Sequence, residues 1–494
     1  MEGTPAMAQI PKDKRALIAI DLGAESCRVS LLRWKEDDAV ITLIHRFANA
    51  PRETGDGLRW DLGLIEAGLD YGLRRCASTA IEGVRSIAVD GWAVDYVRIG
   101  ANGRALHDPY CYRDERTIQS ERLLHRRISP ERLRELTGVQ LLRINTLYQL
   151  FADIAEGSPS GQQWLNVPEY VLSRLGGAQV AELTNATHTQ MVGLRDRKWC
   201  KEIFDAATLD PACAPQIVPP GTVLGRLSGP LAELSAFRDT ILMVPACHDT
   251  ASAIAGIPAE GDDWAYISAG TWSLVGTLLE HPRNGPEARV ENFTNLGAIG
   301  NRICFHKNVN GMWMLGQCIK NWSEDGVTWA VQDLVKAAEK LSPPRRLLEI
   351  DHPDFLLAGR MTERIKKHLH DNDHYALNTD PDNAPVLANL IFHSMAARYA
   401  QVLQRVAFHS GKDLKRLFVV GGASQNEFLN RLTEEVTGLK VFRGSVESST
   451  VGNFATQMAS LESPVDPVTG VSAEQVSRWA RLLVNRTSMG PINP

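Results

Sequence analysis

At 494 residues the chain is too long for one hydrophobic core, so two or three domains are expected. Hydrophobic residues make up 44% and charged residues 22%, the balance of an ordinary folded protein, and a net charge of −5 without a dense basic block argues against a nucleic-acid partner. No apolar run approaches the roughly 20 residues of a membrane helix, so no membrane partner is expected either.

Residues 1–15 (MEGTPAMAQIPKDKR) place their basic residues after the small ones and lack an apolar h-region, so they read as a flexible tail and not as a secretory signal. Eight cysteines without a C-x-x-C fit reduced thiols in a cytoplasm better than disulfides or a zinc site. Leu17 to Trp34 (LIAIDLGAESCRVSLLRW) then predicts a β-hairpin. Asp21 ends its first strand, Gly23 and Ser26 form the turn, and Arg28 begins the return. Such a turn points several N–H groups and a hydroxyl one way and lets a phosphate approach the main chain. An ordinary core hairpin fits the same residues.

Ala39 to Ala48 reads as a third strand and Leu62 to Ala77 as a helix. Arg85 to Ile99 predicts two strands around a polar interruption holding Asp90, Trp92 and Asp95. A sugar could stack on that Trp between carboxylates, or the Trp could simply pack at a strand crossing. Asp108 to Thr117 (DPYCYRDERT) precedes a polar helical region, Thr146 opens another helix, and Leu183 to Thr189 (LTNATHT) is a polar, hydroxyl-rich segment. Ile241 to Cys247 is a buried strand candidate that delivers His248, Asp249 and Thr250 to its end, where open α/β sheets place reactive groups. Asp249 or Thr250 could equally be a helix N-cap.

Trp264 to Leu279 (WAYISAGTWSLVGTLL) repeats the hairpin pattern. Val386 to His409 is an amphipathic helix stopped by Gly411. Arg416 to Val420, Gly421-Gly422 and a helix from Asn426 follow, a strand–turn–helix that lets a flat ring or phosphate lie against backbone. The last unit pairs a strand at Val441 to Arg443 with a helix over Glu447 to Ser460, where Gly452 suits close helix packing.

Taken together, AIDLGAESCRV, VDGWAVDYV, CYRDERT, INTLYQL, TNATHTQMV, HDTASA, YISAGTWSLVGT, KNVNGMWML, VVGGASQN and ESSTVGN resemble, in this order, the FGGY family of carbohydrate kinases. The first turn is similar to the phosphate-binding turn of the actin, hexokinase and heat-shock ATPase fold. The resemblance implies an α/β chain of two ribonuclease-H-like domains of the actin and hexokinase type with an interdomain cleft. Residues 16–245 would bind mainly sugar and 246–494 mainly ATP. It further implies Mg²⁺-dependent transfer of the ATP γ-phosphate to O1 of the 6-deoxyketose L-rhamnulose, with L-fuculose, xylulose or glycerol as alternative acceptors, by a cytoplasmic monomer or homodimer.

By the same resemblance Asp249 is the general base and Asp21 lies at the metal. Ala24, Glu25, Ser26, Cys27, Arg28, Thr271 and Gly422 match nucleotide contacts, and Ala93, His248, Thr250 and Asn308 match sugar contacts. Four positions depart from the family pattern. Ala93 replaces a Gly, Glu25 and Cys27 place an acid and a thiol in the first turn, and Gly316 stands where a nucleotide-contacting Gln is expected, with Gln317 next to it.

Overall fold

The computed structural model describes residues 11–270, 272–356, 359–373 and 378–486. Packing divides them into two compact units. The first takes the residues up to Ala259, Leu279–Cys304 and those from Ser448 onward; the second takes Glu260–Leu278 and Phe305–Glu447. A cut at 245/246 would leave the last stretch of chain with the second unit. It groups with the first because its helices close one face of the first unit's sheet.

That sheet contains β1 (Ala16–Leu22), β2 (Ser26–Lys35), β3 (Asp38–Ala48), β4 (Val84–Gly91), β5 (Val223–Arg226) and β6 (Ile241–Met243), in the order β5-β6-β4-β1-β2-β3. β1, β2 and β3 form an antiparallel meander, while β4 runs parallel to β1 and β6 parallel to β4. The two-residue period of β1 divides its side chains cleanly. Ala16, Ile18, Ile20 and Leu22 enter a core with Ile65, Leu69 and Leu73 of the Leu62–Thr79 helix. Leu17 and Ala19 face the opposite way, toward Val451, Phe454 and Met458 of the Ser448–Glu462 helix and Trp479 and Leu483 of the Ala473–Arg486 helix.

The second unit repeats the pattern. Its sheet holds β7 (Trp264–Ala269), β8 (Trp272–Leu279), β9 (Ile303–Asn310), β10 (Arg416–Val420) and β11 (Lys440–Arg443) in the order β9-β8-β7-β10-β11. β7 pairs antiparallel with β8 and parallel with β10, and β10 pairs parallel with β11. Each predicted hairpin therefore begins a sheet in which a second parallel strand lies on the far side of the lead strand. The Ala384–Ser410 helix ends at Gly411, whose φ of 73° satisfies the left-handed cap that a Cβ would disfavour. Among the described residues no helix is long and apolar enough to cross a membrane.

Candidate active site

The C-terminal ends of β1 and β4 bring two carboxylates together. Asp21 and Asp90 are register partners on adjacent parallel strands, so both side chains leave the same face of the sheet. That face is the one covered by the Ser448–Glu462 helix, which supplies a donor to each. Ser449 Oγ donates to Asp21 Oδ2 at 2.6 Å and Asn453 Nδ2 donates to Asp90 Oδ2 at 2.6 Å. Residues four apart share a helix face, so one turn of helix serves both acids. Asp21 Oδ2 also accepts from Arg28 Nη1 at 3.1 Å across the β1–β2 ladder.

The same helix lies directly on the Asp249–Ala255 helix. A Cβ on Gly452 would stand 1.8 Å from the Ser252 carbonyl oxygen, and one on Gly256 2.3 Å from the Ser448 carbonyl oxygen. Only glycines permit this approach, as expected for Gly452.

Asp249 is the first residue of its helix, and the N-cap position belongs to His248, which makes no side-chain cap bond. Asp249 Oδ1 accepts from the Thr250 N–H at 2.5 Å and the Thr250 hydroxyl at 3.3 Å, and lies 3.3 Å from His248 Nε2. The other oxygen, Oδ2, carries none of these bonds. Burial raises the Asp249 pKa to about 7, with the charge of Asp21 adding to the rise; the Thr250 bonds and Arg28 oppose it. The side chain keeps 36% of its surface open, so solvent screening limits that rise.

Asp90 is fully buried, and burial followed by the charges of Asp21 and Asp249 holds its pKa well above the carboxylate range. The N-cap alternative for Asp249 and Thr250 is therefore not what the geometry contains. Asp249 sits one residue inside the helix, beside two other acids.

The first turn is tight. The Gly23 N–H bonds to the Ser26 carbonyl at 3.2 Å, and a Cβ on Gly23 would lie 2.6 Å from that oxygen. Ala24 and Ser26 are partly exposed and Glu25 is exposed. Arg46 Nε donates to Ser26 Oγ, and Asn49 closes the turn from behind through bonds to the Gly23 and Glu25 carbonyls. The Cys27 side chain points away from this turn's open side. It is fully buried in the core, with its thiol pushed up to about 12 by burial. The thiol expected on the open side of the turn therefore lies in the core instead.

The stretch after β4 is structural where a sugar platform was one option. Asp95 is fully buried and accepts from Trp60 Nε1, Trp92 Nε1, Gln149 Nε2 and the Tyr112 N–H at 2.6–3.2 Å. Trp92 packs on Trp60 with ring centroids 4.6 Å apart. Next to them Val94 holds a φ of 70°, rare for a β-branched residue, and its carbonyl accepts from Thr146 Oγ1 at 2.7 Å. That strained corner fixes the main chain of Ala93, which is buried.

The remaining expected contacts lie in the second unit. Asn308 is half-buried on β9. Gly422 is exposed, begins a short helical turn after β10, and has open space where a Cβ would point. Gly421 before it takes a φ of 85°, and a Cβ there would stand 2.7 Å from the Ala269 carbonyl oxygen. Gly316 is exposed on the Trp313–Glu324 helix with space for a side chain. Thr271 lies outside the described residues.

Several neighbours of Asp249 escaped the sequence reading. Ser449 and Asn453 lie in ESSTVGN, whose signal was an i, i+4 pair of small polar residues around a packing glycine. The polar stretch at 183–189 turns out to be a buried helix, Leu183–His188, capped by Glu182. Glu182 Oε2 accepts the Cys247 N–H at 2.8 Å, and Thr184 Oγ1 accepts the His248 N–H at 3.1 Å. At the other end of that helix the His188 ring stands 4.0 Å from His248. Burial, with His248 nearby, keeps the His188 pKa well below its ordinary value.

A hard divalent cation fits the acids at β1 and β4. The donor set is carboxylate oxygen, and Asp90 Oδ1 is buried with no hydrogen-bond partner among the described residues. No three His, Cys, Asp or Glu side chains among the described residues converge as a metal cage. Mg²⁺ suits such a site because it commonly takes one or two protein carboxylates together with water and phosphate oxygens.

Comparison with known proteins agrees with this architecture. Residues 16–256 match the N-terminal domain of the FGGY family of carbohydrate kinases and residues 265–461 its C-terminal domain. The chain belongs to the FGGY family of carbohydrate kinases. Its reaction class is ATP-dependent phosphorylation of a carbohydrate.

Among curated relatives it is 34% identical to a rhamnulokinase of Enterococcus faecalis, covering 90% of this chain and 89% of that one. It is 32% identical to a rhamnulokinase of Ligilactobacillus salivarius, covering 90% of each. Two solved structures share the fold at low identity. A gluconate kinase from Lactobacillus acidophilus has a TM-score of 0.75 at 15% identity, covering 94% of this chain and 92% of that one. A Plasmodium falciparum glycerol kinase with ADP has a TM-score of 0.72 at 12% identity, covering 95% and 92%. The expected two-domain α/β fold of the ribonuclease-H-like kinases is the one found.

Proposed function

We propose that the chain phosphorylates L-rhamnulose on O1, converting ATP and the ketose to ADP and L-rhamnulose 1-phosphate. The observation that carries this reading is identity of 32–34% to rhamnulokinases over nine-tenths of the chain.

Asp249 acts as general base. Its Oδ1 is occupied by Thr250 and neighbours His248, so Oδ2 is the oxygen that takes the proton of the 1-hydroxyl as the new O–P bond forms and the bond to the β-phosphate breaks. A pKa raised above the ordinary carboxylate range suits that exchange, because the group still ionises yet is basic enough to hold a proton. His248 and Thr250 hold Asp249 on one side and, with Ala93 and Asn308, contact the sugar. Ala24, Glu25, Ser26, Cys27 and Arg28, with Thr271 and Gly422, contact the nucleotide. Asp21, held by Arg28 and Ser449, is the carboxylate at the metal. Bound Mg²⁺ would screen the charge of the β- and γ-phosphates. Residues 16–245 serve mainly the sugar and 246–494 mainly ATP, in a cytoplasmic protein.

The test is ADP release with L-rhamnulose, L-fuculose, xylulose and glycerol as acceptors. The highest kcat/KM is expected for L-rhamnulose; a clear preference for another acceptor overturns the substrate assignment. Asp249→Asn is expected to lower kcat by about 10²–10⁴ while nucleotide binding survives. An active variant removes Asp249 from the role of base.

A further inference from the structure

Glu182, Thr184 and the Glu169 behind them have no part in the transfer just described, yet the first two lie directly against the main chain that carries Asp249. We propose that Glu182 and Thr184 are positioning residues, a side-chain clamp on the Cys247 and His248 amides that sets the direction of Asp249. The inference rests on the reading of Asp249 as the base.

Two successive N–H groups just ahead of Asp249 are held by side chains and not by a strand. Cys247 N donates to Glu182 Oε2 at 2.8 Å and His248 N to Thr184 Oγ1 at 3.1 Å. The two acceptors are themselves locked together. The Thr184 hydroxyl donates to Glu182 Oε2 at 2.5 Å and the Thr184 N–H to Glu182 Oε1 at 3.0 Å. Glu169 supports them from below, accepting the Glu182 N–H at 3.1 Å and Asn185 Nδ2 at 3.0 Å. Glu169, Glu182, Thr184 and Asn185 are all fully buried.

On the opposite side the Cys247 carbonyl accepts the Gly91 N–H at 2.9 Å, tying the same residue to the end of β4. The chain at 247–248 is thus held from both sides, and the next residue is the base. Burying two carboxylates is costly unless donors offset it. The donors to Glu182 include the Cys247 amide directly and the Thr184 hydroxyl, which in turn accepts the His248 amide just ahead of Asp249.

Thr184→Val keeps the shape and removes the hydroxyl, leaving the His248 amide without its acceptor. A displacement of about 1 Å at a catalytic group costs up to about 10²-fold in rate, so kcat is expected to fall by about 10–100-fold with KM for ATP unchanged. Thr184→Ser, which restores the hydroxyl, should recover most of that loss. If the clamp acts through Asp249, Thr184→Val adds nothing further in an Asp249→Asn background. A folded Thr184→Val enzyme with wild-type kcat overturns the proposal, as does a multiplicative loss in the double variant.

Asp249→Asn alone separates the two readings. An active Asn variant sinks the base. An inactive one beside a fully active Thr184→Val enzyme leaves the base standing and removes the clamp. Should Thr184→Val not accumulate as folded protein, hydrogen exchange of the wild-type enzyme decides. The Cys247 and His248 amides are expected to be protected like those of β4, and rapid exchange at both overturns the clamp.

Discussion

Replacing Gly452 by alanine separates local helix preference from packing by the sign of the effect. Alanine is intrinsically better in a helix interior by about 1 kcal/mol, so on propensity alone the variant would be more stable. The added Cβ, however, would sit 1.8 Å from the Ser252 carbonyl oxygen and 2.8 Å from the Gly256 nitrogen, where ordinary contact begins at 3.4 Å. Relief requires the two helices to separate locally by 3.4 − 1.8 = 1.6 Å. Borne by the Ser448–Glu462 helix and directed away from the sheet, a shift of that size stretches the 2.6 Å bonds from Ser449 to Asp21 and from Asn453 to Asp90 beyond hydrogen-bonding range.

Overpacking costs about 1–3 kcal/mol, the lost bond to Asp21 about 1.5–3 kcal/mol and that to Asp90, whose pKa is held well above the carboxylate range, about 0.5–1.5 kcal/mol. Even at the low end of each range, and after subtracting the helix gain, the net is about 2 kcal/mol of destabilisation. Calorimetric melting with parallel kcat measurements is the assay. A variant as stable as the parent, or more so, would refute the packing argument. A destabilised variant with full kcat would refute the link from this helix to Asp21.

The raised pKa of Asp249 fixes the sign of a pH effect. The base must be ionised, so kcat/KM for the sugar is expected to rise with pH through a limb near 7 and to be lost below it; a flat profile from pH 5 to 8 would contradict this. Asp95→Asn places an amide among four donors, so at least one buried N–H loses its acceptor. A loss of about 1–3 kcal/mol in stability and a changed emission from Trp60 and Trp92 are expected, and unchanged melting would remove Asp95 from its structural role.

Most of the frame was legible because its signals are local. The apolar run of β1, the turn at Gly23 and the alternation of β2 predict the first hairpin, and Gly411 predicts the end of the long helix over Ala384–Ser410. The strand expected over 241–247 stops at Met243, since Pro245 has no N–H to give a ladder and the chain beyond it relies on other partners. Residues 183–189 read only as a polar, hydroxyl-rich segment, because nothing local says which way hydroxyls and amides point. In the fold those groups point inward and satisfy Glu169 and Glu182. The fate of Asp95 and Cys27 could not be read for the same reason. A carboxylate among aromatics suits a sugar or four buried donors equally well, and a thiol in a turn faces either side. Pairings such as Ser449 with Asp21 join residues 428 positions apart, and no local pattern carries them.

That separation bears on how the protein is made. Leu17, Ala19, Leu32 and Ile41 find their apolar partners at Phe454, Met458 and Trp479, which leave the ribosome long after them. At about 5–20 residues per second, one side of the earliest sheet stays uncovered for roughly 20–90 s of translation. Nascent chains arrested before Ser448 are therefore expected to be sticky intermediates that recruit holdase chaperones, and the sheet becomes self-sufficient only once the helices beyond Ser448 have emerged.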